Sequence, residues 1–507
     1  MSEQSIYSVI CESINSEGKL PHNFWLPFNE TPPNKLSFMP GAKDGIEIFH
    51  MNLKNPDKVV KKIVKLLKDE WKKNSSKSQG KISELLQNYG TLSIIDSVLE
   101  SIRESSKDIN IANMFEYACQ LAFNTSDEEL VKLGIGLLGL LDLSNEQDTV
   151  DKLLKLALYE EFTLYVVVAV LNYQNGNDIL FRIAQKVDGW GKIHTVMRLE
   201  PATDEIREWI LRKGCANAIV DAYLGLECAN KGDLIGALRG NSIDDELFEG
   251  ISIIIDALLD EGPADGISVY EHAEEALQRY LSIASERTLT IIQFWRILNL
   301  KQWLEDAQLA NRDELIKMCD GIVCRDSWQN MILEILKNPD DSNFRYATDI
   351  ARKLNMNVSE LIFNAVKKEP VKHFGYLYLV YKNPRYAKEL TKIYENILPL
   401  DDMATGMGDF LFAKNFSQEH NCLDFVLQEL KNYPQLGEKL VKTALKSPVV
   451  RERNGACRVL EEWCKKLNQN LQNISPDLFS LLKEIEKIEV NADTKEKMKN
   501  LLKNKWL

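Results

Sequence analysis

Glycine and proline are scarce in this sequence, with 25 Gly and 15 Pro in 507 residues, below the ~12% of average usage. So few chain breakers leave few tight turns, which favours helix over sheet. Strand-length runs of alternating apolar and polar residues are almost absent too. No apolar stretch approaches the ~20 residues needed to cross a bilayer; the longest are Phe162–Leu171 and Leu133–Leu141. Met1–Lys19 carries Glu3, Glu12 and Glu17 and has neither a basic nor an apolar leader region, so no secretory signal is expected. Nine cysteines, an odd number thinly spread, suit free thiols in a reducing compartment, and the expected location is cytoplasmic. Basic charge is also in deficit: 62 Lys+Arg against 75 Asp+Glu give a net −13. That balance argues against non-specific nucleic-acid binding, which draws its affinity from Lys and Arg on phosphates.

What is present reads as helix. Hydrophobic residues make up 45% and charged residues 27%, values of an ordinary folded protein. At ~150 residues per domain the length allows about three domains or one long repeat array. From about residue 56 onward apolar positions recur at three and four, as in Val59-Val60-Ile63-Val64-Leu66-Leu67. Ser126 with Glu129 and Thr203-Asp204-Glu205 read as helix starts, and Asp148, Asp178, Asp244 and Ser359 stand in similar places. Helix-sized segments pair up every ~25–40 residues, the range of stacked two-helix repeats. Thr149–Leu158 with Phe162–Leu171, Ile179–Val187 with Lys192–Leu199, and Asp204–Arg212 with Ala216–Cys228 are examples. The expected fold is all-α, an irregular HEAT- or armadillo-like helical-repeat solenoid; an irregular all-α globule is the alternative.

Three regions are expected. Residues 1–55 hold a helix and an extended Pro-rich segment packed on the repeats, 56–470 the degenerate repeat array, and 471–507 the C-terminal capping helices. Pro21, Pro27, Pro32, Pro33 and Pro40 forbid a continuous helix over 20–52, while Phe24, Trp25, Leu26, Phe28, Phe38 and Phe49 are too apolar for a solvated linker. Asp44-Gly45 reads as a tight turn before a short strand, Ile46–His50. Lys72–Gly80 reads as a mobile polar stretch. Thr494–Leu507 reads as a basic amphipathic helix, ending Lys505-Trp506-Leu507, either a solvated cap or a membrane or partner contact.

Few motifs carry chemistry. Gly134, Gly136 and Gly139 spell G-x-G-x-x-G, but a dinucleotide fingerprint needs a strand before it and a helix opening after it. Here Leu130, Leu133, Leu137, Leu138 and Leu141 run a helical stripe through the glycines, so close helix approach is the better reading. Cys457 with Cys464 and Cys319 with Cys324 lack zinc-knuckle spacing, and buried free thiols are expected for all nine. His272 and Glu274 have the H-x-E spelling, yet within a helix over Val269–Leu281 they would point about 200° apart. There is no H-E-x-x-H, no pair of E-x-x-H motifs, no G-x-S-x-G and no G-x-x-x-x-G-K-[ST]. No metal, haem or flavin site is expected.

One cluster stands out. Asp188-Gly189-Trp190-Gly191-Lys192-Ile193-His194 sets Trp190, Lys192 and His194 beside two glycines at an expected inter-helix turn. Glycines next to an indole permit close backbone approach and leave a ring face for a ligand or a partner helix. The plainer reading is a packed turn with His194 hydrogen-bonded in a groove. Two blocks also carry a resemblance. Leu20-Pro21, Phe24, Leu26-Pro27, Leu36-Ser37-Phe38 and Gly41–Met51 form the first; Gly189–His194, continuing through Glu205–Trp209 to Gly214-Cys215, forms the second. Together they resemble a family of Firmicutes proteins labelled limonene hydroxylase. The resemblance implies hydroxylation of the monoterpene limonene to perillyl alcohol and carveol, further oxidation of those alcohols, and NAD(P)H as cofactor; it implies no catalytic residues. From residue chemistry alone, a non-catalytic helical scaffold binding a protein or peptide partner on its concave face is the alternative.

Overall fold

The computed structural model describes residues 4–21, 24–27, 38–51, 56–73, 77–105, 109–143, 145–240, 242–410 and 418–503. The fold is all-α: among the described residues the only extended pairing is an isolated parallel bridge between Phe410 and Val449. The described residues fall into two compact units, one ending at Cys324 and the other beginning at Arg325. No described helix is long and apolar enough to cross a membrane.

In the first unit, helices pack in sequence-ordered rows. Ile111–Phe123 lies on Glu128–Leu138, which lies on Glu160–Val170; then follow Gly189–Val196, Ala222–Lys231, Asp245–Leu258 and Ile291–Asp306, each against its predecessor. Intervening helices such as Gln147–Leu156 and Gly176–Ala184 flank the row. A helix placed between two others must be apolar on most sides. Glu160–Val170 meets that demand with Phe162, Leu164, Tyr165, Val166, Val167, Ala169 and Val170 all buried. Its β-branched residues have low helix propensity, and burial on both flanks overrides it.

The glycines of the G-x-G-x-x-G run lie where helices touch. Gly134 and Gly136 are inside the helix Glu128–Leu138. A Cβ at Gly134 would stand 2.5 Å from the Ala122 backbone nitrogen, and one at Gly139 would stand 2.8 Å from Ala169. They form no phosphate cradle, so the run does not fit a dinucleotide. In the second unit Val450–Leu467 is central, packing against Gln418–Leu430, Glu438–Leu445 and Ala492–Leu502. Its fully buried Arg453 is held by Glu489 through two contacts of 2.7 and 2.8 Å.

Several sequence expectations need correction. The expected strand at Ile46–His50 is the end of a helix, Ala42–His50, whose N-cap Gly41 adopts φ +72°. The helix at 128 is capped by Asp127, which accepts from the Glu129 and Leu130 amides, and not by Ser126. Glu129 is turned to another task, described below. Thr203 and Asp244 cap as expected. His272 is the N-cap residue of Ala273–Ser285 rather than an interior helical position, and Glu274 accepts from the Ala310 amide at 3.1 Å. Lys72 and Lys73 end the helix Asp57–Lys73, while Gln79 and Gly80 open the next; residues 74–76 lie outside the described residues. So do His22, 28–37 with Phe28, Pro32 and Pro33, and Lys505–Leu507. Of the Pro-rich segment that is described, Leu26 is buried and Phe24 meets Tyr159 edge-on at 5.6 Å, while Phe38 is exposed. The thiols are all free, but Cys324 is exposed and Cys11 and Cys119 are half-buried.

Candidate functional site

Asp188 caps the helix Gly189–Val196, so the Gly-Trp-Gly cluster is the first turn of a helix and not a loop. That changes which side chains share a face. Residues four apart are about 40° apart around a helix, and residues two apart about 200°. Trp190 and His194 therefore fall together and Lys192 falls opposite them.

Trp190 and His194 are buried beneath the helix Ala42–His50. Gly45 lies flat against the Trp190 ring, so close that a Cβ there would collide with it. Phe49 completes an aromatic cluster with Trp190 at 6.0 Å, His194 at 6.4 Å and Tyr223 at 4.7 Å between ring centres. His50 Nε2 and the Tyr223 hydroxyl are 2.8 Å apart. Burial, reinforced by Arg198, lowers the His194 pKa to about 3, so the ring is neutral. Its Nε2 has no hydrogen-bond partner among the described residues. The two blocks that carry the family resemblance thus meet face to face.

Beside this cluster an ionic group pins the same helix. Lys132, 2% exposed, contacts Asp44 at 3.1 Å, Glu129 at 3.0 Å and Glu161 at 2.5 Å. The Tyr165 hydroxyl donates to Asp44 at 2.8 Å, the Thr91 amide to Glu129 at 2.7 Å, and the Gly41 amide to Glu161 at 2.7 Å. Burial works against the Lys132 charge, but the three carboxylates overcome it and raise its pKa well above normal. One lysine cannot balance three carboxylates. Burial accordingly raises the pKa of Asp44, while Glu129, opposed by burial but held by Lys132 and the Thr91 amide, is lowered.

Lys192 belongs to a different place. It lines an open cleft of about 630 Å³ together with Leu20, Leu158, Glu160, Asp188 and Trp209. Its Nζ lies 5.7 Å from the Trp209 ring centre, and Phe181 supports that indole edge-on at 5.6 Å. Burial lowers the Lys192 pKa, with Asp188 the main opposing charge. The ammonium makes no hydrogen bond or ion pair with a described residue. Glu160 accepts from the Trp190 amide at 2.9 Å, and Asp188 accepts from the Gly189 amide at 2.8 Å and the Ala218 amide at 3.0 Å. Burial raises Glu160 to about 7 despite the amides it accepts.

A pH effect follows from Glu160. Its folded pKa is above the ordinary 4.5, so its contribution to stability is fully present below 4.5 and is lost as pH rises through about 7. A shift of this size corresponds to about 3 kcal/mol. In Glu160→Gln that dependence disappears, and urea titrations stepped from acid to neutral pH show the variant gaining on the native protein as pH rises. Parallel profiles for the two proteins would contradict the assignment.

No group of three or more His, Cys, Asp or Glu side chains suited to a metal ion occurs among the described residues. Sequence reasoning singled out Trp190, Lys192 and His194 and named Trp209 only within the resembling block, but missed Glu160, Lys132 and Tyr223. The signal for Lys132 was present, a single lysine within the apolar run Leu130–Leu141. No protein-family model matches the chain, and no curated protein matches it.

Proposed function

We propose that this chain is a non-catalytic helical-repeat protein that holds part of a partner protein in the Lys192–Trp209 cleft. One observation carries the reading: the Lys192 ammonium is partly desolvated over an indole, in a cleft open to solvent, without a counter-charge bonded to it. A desolvated cation without a bonded partner is costly, and a ligand that supplies one recovers the cost. Stacked helical repeats commonly use such surfaces for binding. The test has two arms. A photo-reactive residue at exposed Ala218, on the cleft rim, should cross-link one defined protein in cells, and Lys186→Glu should abolish that product. The purified chain supplied with limonene and NAD(P)H should form neither perillyl alcohol nor carveol; their formation would overturn the reading.

A second reading rests on the resemblance to the limonene hydroxylase-labelled proteins. What favours it is that the two resembling blocks, Gly41–Met51 and Gly189–His194, pack on each other through Gly45, Phe49, Trp190 and His194. On this reading the chain oxidises a monoterpene with NAD(P)H in a cytoplasmic setting, and the same turnover assay decides it.

A further inference from the structure

The cleft's charge distribution narrows the choice of occupant. Four lysines, Lys19, Lys186, Lys192 and Lys213, line it against two carboxylates, Glu160 and Asp188, in a chain whose net charge is −13. Both carboxylates are engaged by backbone amides. Of the lysines, only Lys213 has an ion pair with a described residue, Glu246 at 3.1 Å. The remaining walls include Leu20, Pro21, Leu158 and Val187, which are apolar and suited to methylene groups.

We propose that the occupant is an acidic peptide segment of the partner, a run of Glu or Asp side chains with one carboxylate on Lys192 and its neighbours on Lys186 and Lys19. This inference rests on the binding reading above and names the chemistry of the partner. Two features favour spaced carboxylates over a compact phosphate. The helix N-terminus at Gly189, the natural seat for a phosphate, is filled by Glu160 and Asp188. The cations are lysines from separate segments rather than a converging arginine fork, so they act as distributed point charges.

Fluorescence anisotropy with labelled hexaglutamate tests the proposal on the full chain. Saturable binding is expected at low salt, weakening steeply as salt rises. Lys192→Met, which keeps the apolar stem over Trp209, should weaken it at least ten-fold. Lys186→Glu, at an exposed position, should do the same with an unchanged thermal melt, so a folding defect in the first variant cannot decide the outcome. Absence of saturable binding, binding by both variants as tight as by the native chain, or displacement by inorganic tripolyphosphate at far lower concentration than by unlabelled hexaglutamate would overturn the proposal. The two readings fail separately. If hexaglutamate does not bind while the Ala218 cross-link to a protein still depends on Lys186, the acidic class is wrong and the binding role stands. Terpene oxidation would remove the binding role.

Discussion

Lys132→Met should cost about 3–5 kcal/mol at neutral pH, the range for breaking a buried ion pair from one side. Methionine fills much the same space, so the loss is electrostatic rather than a cavity. Asp44, Glu129 and Glu161 would then share a buried site without the cation that contacts all three. In the variant Asp44 and Glu129, buried without the cation that opposes the effect of burial, hold protons to higher pH than they do unfolded. Their contribution is therefore present in acid and lost as pH rises, and the deficit relative to the native protein is largest above neutrality. Unfolding at acid and at alkaline pH measures this, and hydrogen exchange over Ala42–His50 locates it. A deficit independent of pH, or exchange unchanged in that helix, would show that the lysine does not hold it.

Trp190→Ala should be comparably damaging, about 3–5 kcal/mol, the usual range for truncating a large buried aromatic. The indole is 3% exposed and fills the space between Gly45, Phe49 and Tyr223. Gly45, which lies flat against the ring, has no side chain that could move into the void. The expected result is early proteolytic release of the N-terminal segment through Met51, with the remainder of the first unit still resistant. Hexaglutamate affinity should change far less than in Lys192→Met, since Lys192 projects from the opposite face. Equal losses of affinity in the two variants would mean that the cleft and the aromatic cluster act as one site.

The helices were legible because apolar spacing and burial are two views of one requirement. Leu130, Leu133, Leu137 and Leu138 mark a stripe, and the stripe is buried; the glycines between them permit close approach, as expected. Ile46–His50 reads as strand because Ile46-Glu47-Ile48 alternates with a two-residue period, and short apolar runs are ambiguous between helix and strand. What decides the matter is distant: Lys132, Glu161 and Trp190 hold the segment in place. Trp190, Lys192 and His194 were grouped because they are near in sequence, whereas helical rotation separates the middle one from the other two. The cleft was hidden for a similar reason. Glu160 opens one neighbouring helix and Trp209 ends another, and no local pattern places either beside Lys192.

The docking of Ala42–His50 also bears on the order of events during synthesis. Its partners lie far downstream: Tyr165 is 121 residues beyond Asp44, and Tyr223 is 173 beyond His50. At roughly 5–20 residues per second, His50 leaves the ribosome on the order of 10–35 s before Tyr223 does. Through that interval the segment is a tethered, unsatisfied strip carrying Ile46 and Phe49. Its settling thus marks completion of the rows beneath it, and a translating chain stalled before Tyr223 would be an early substrate for chaperones.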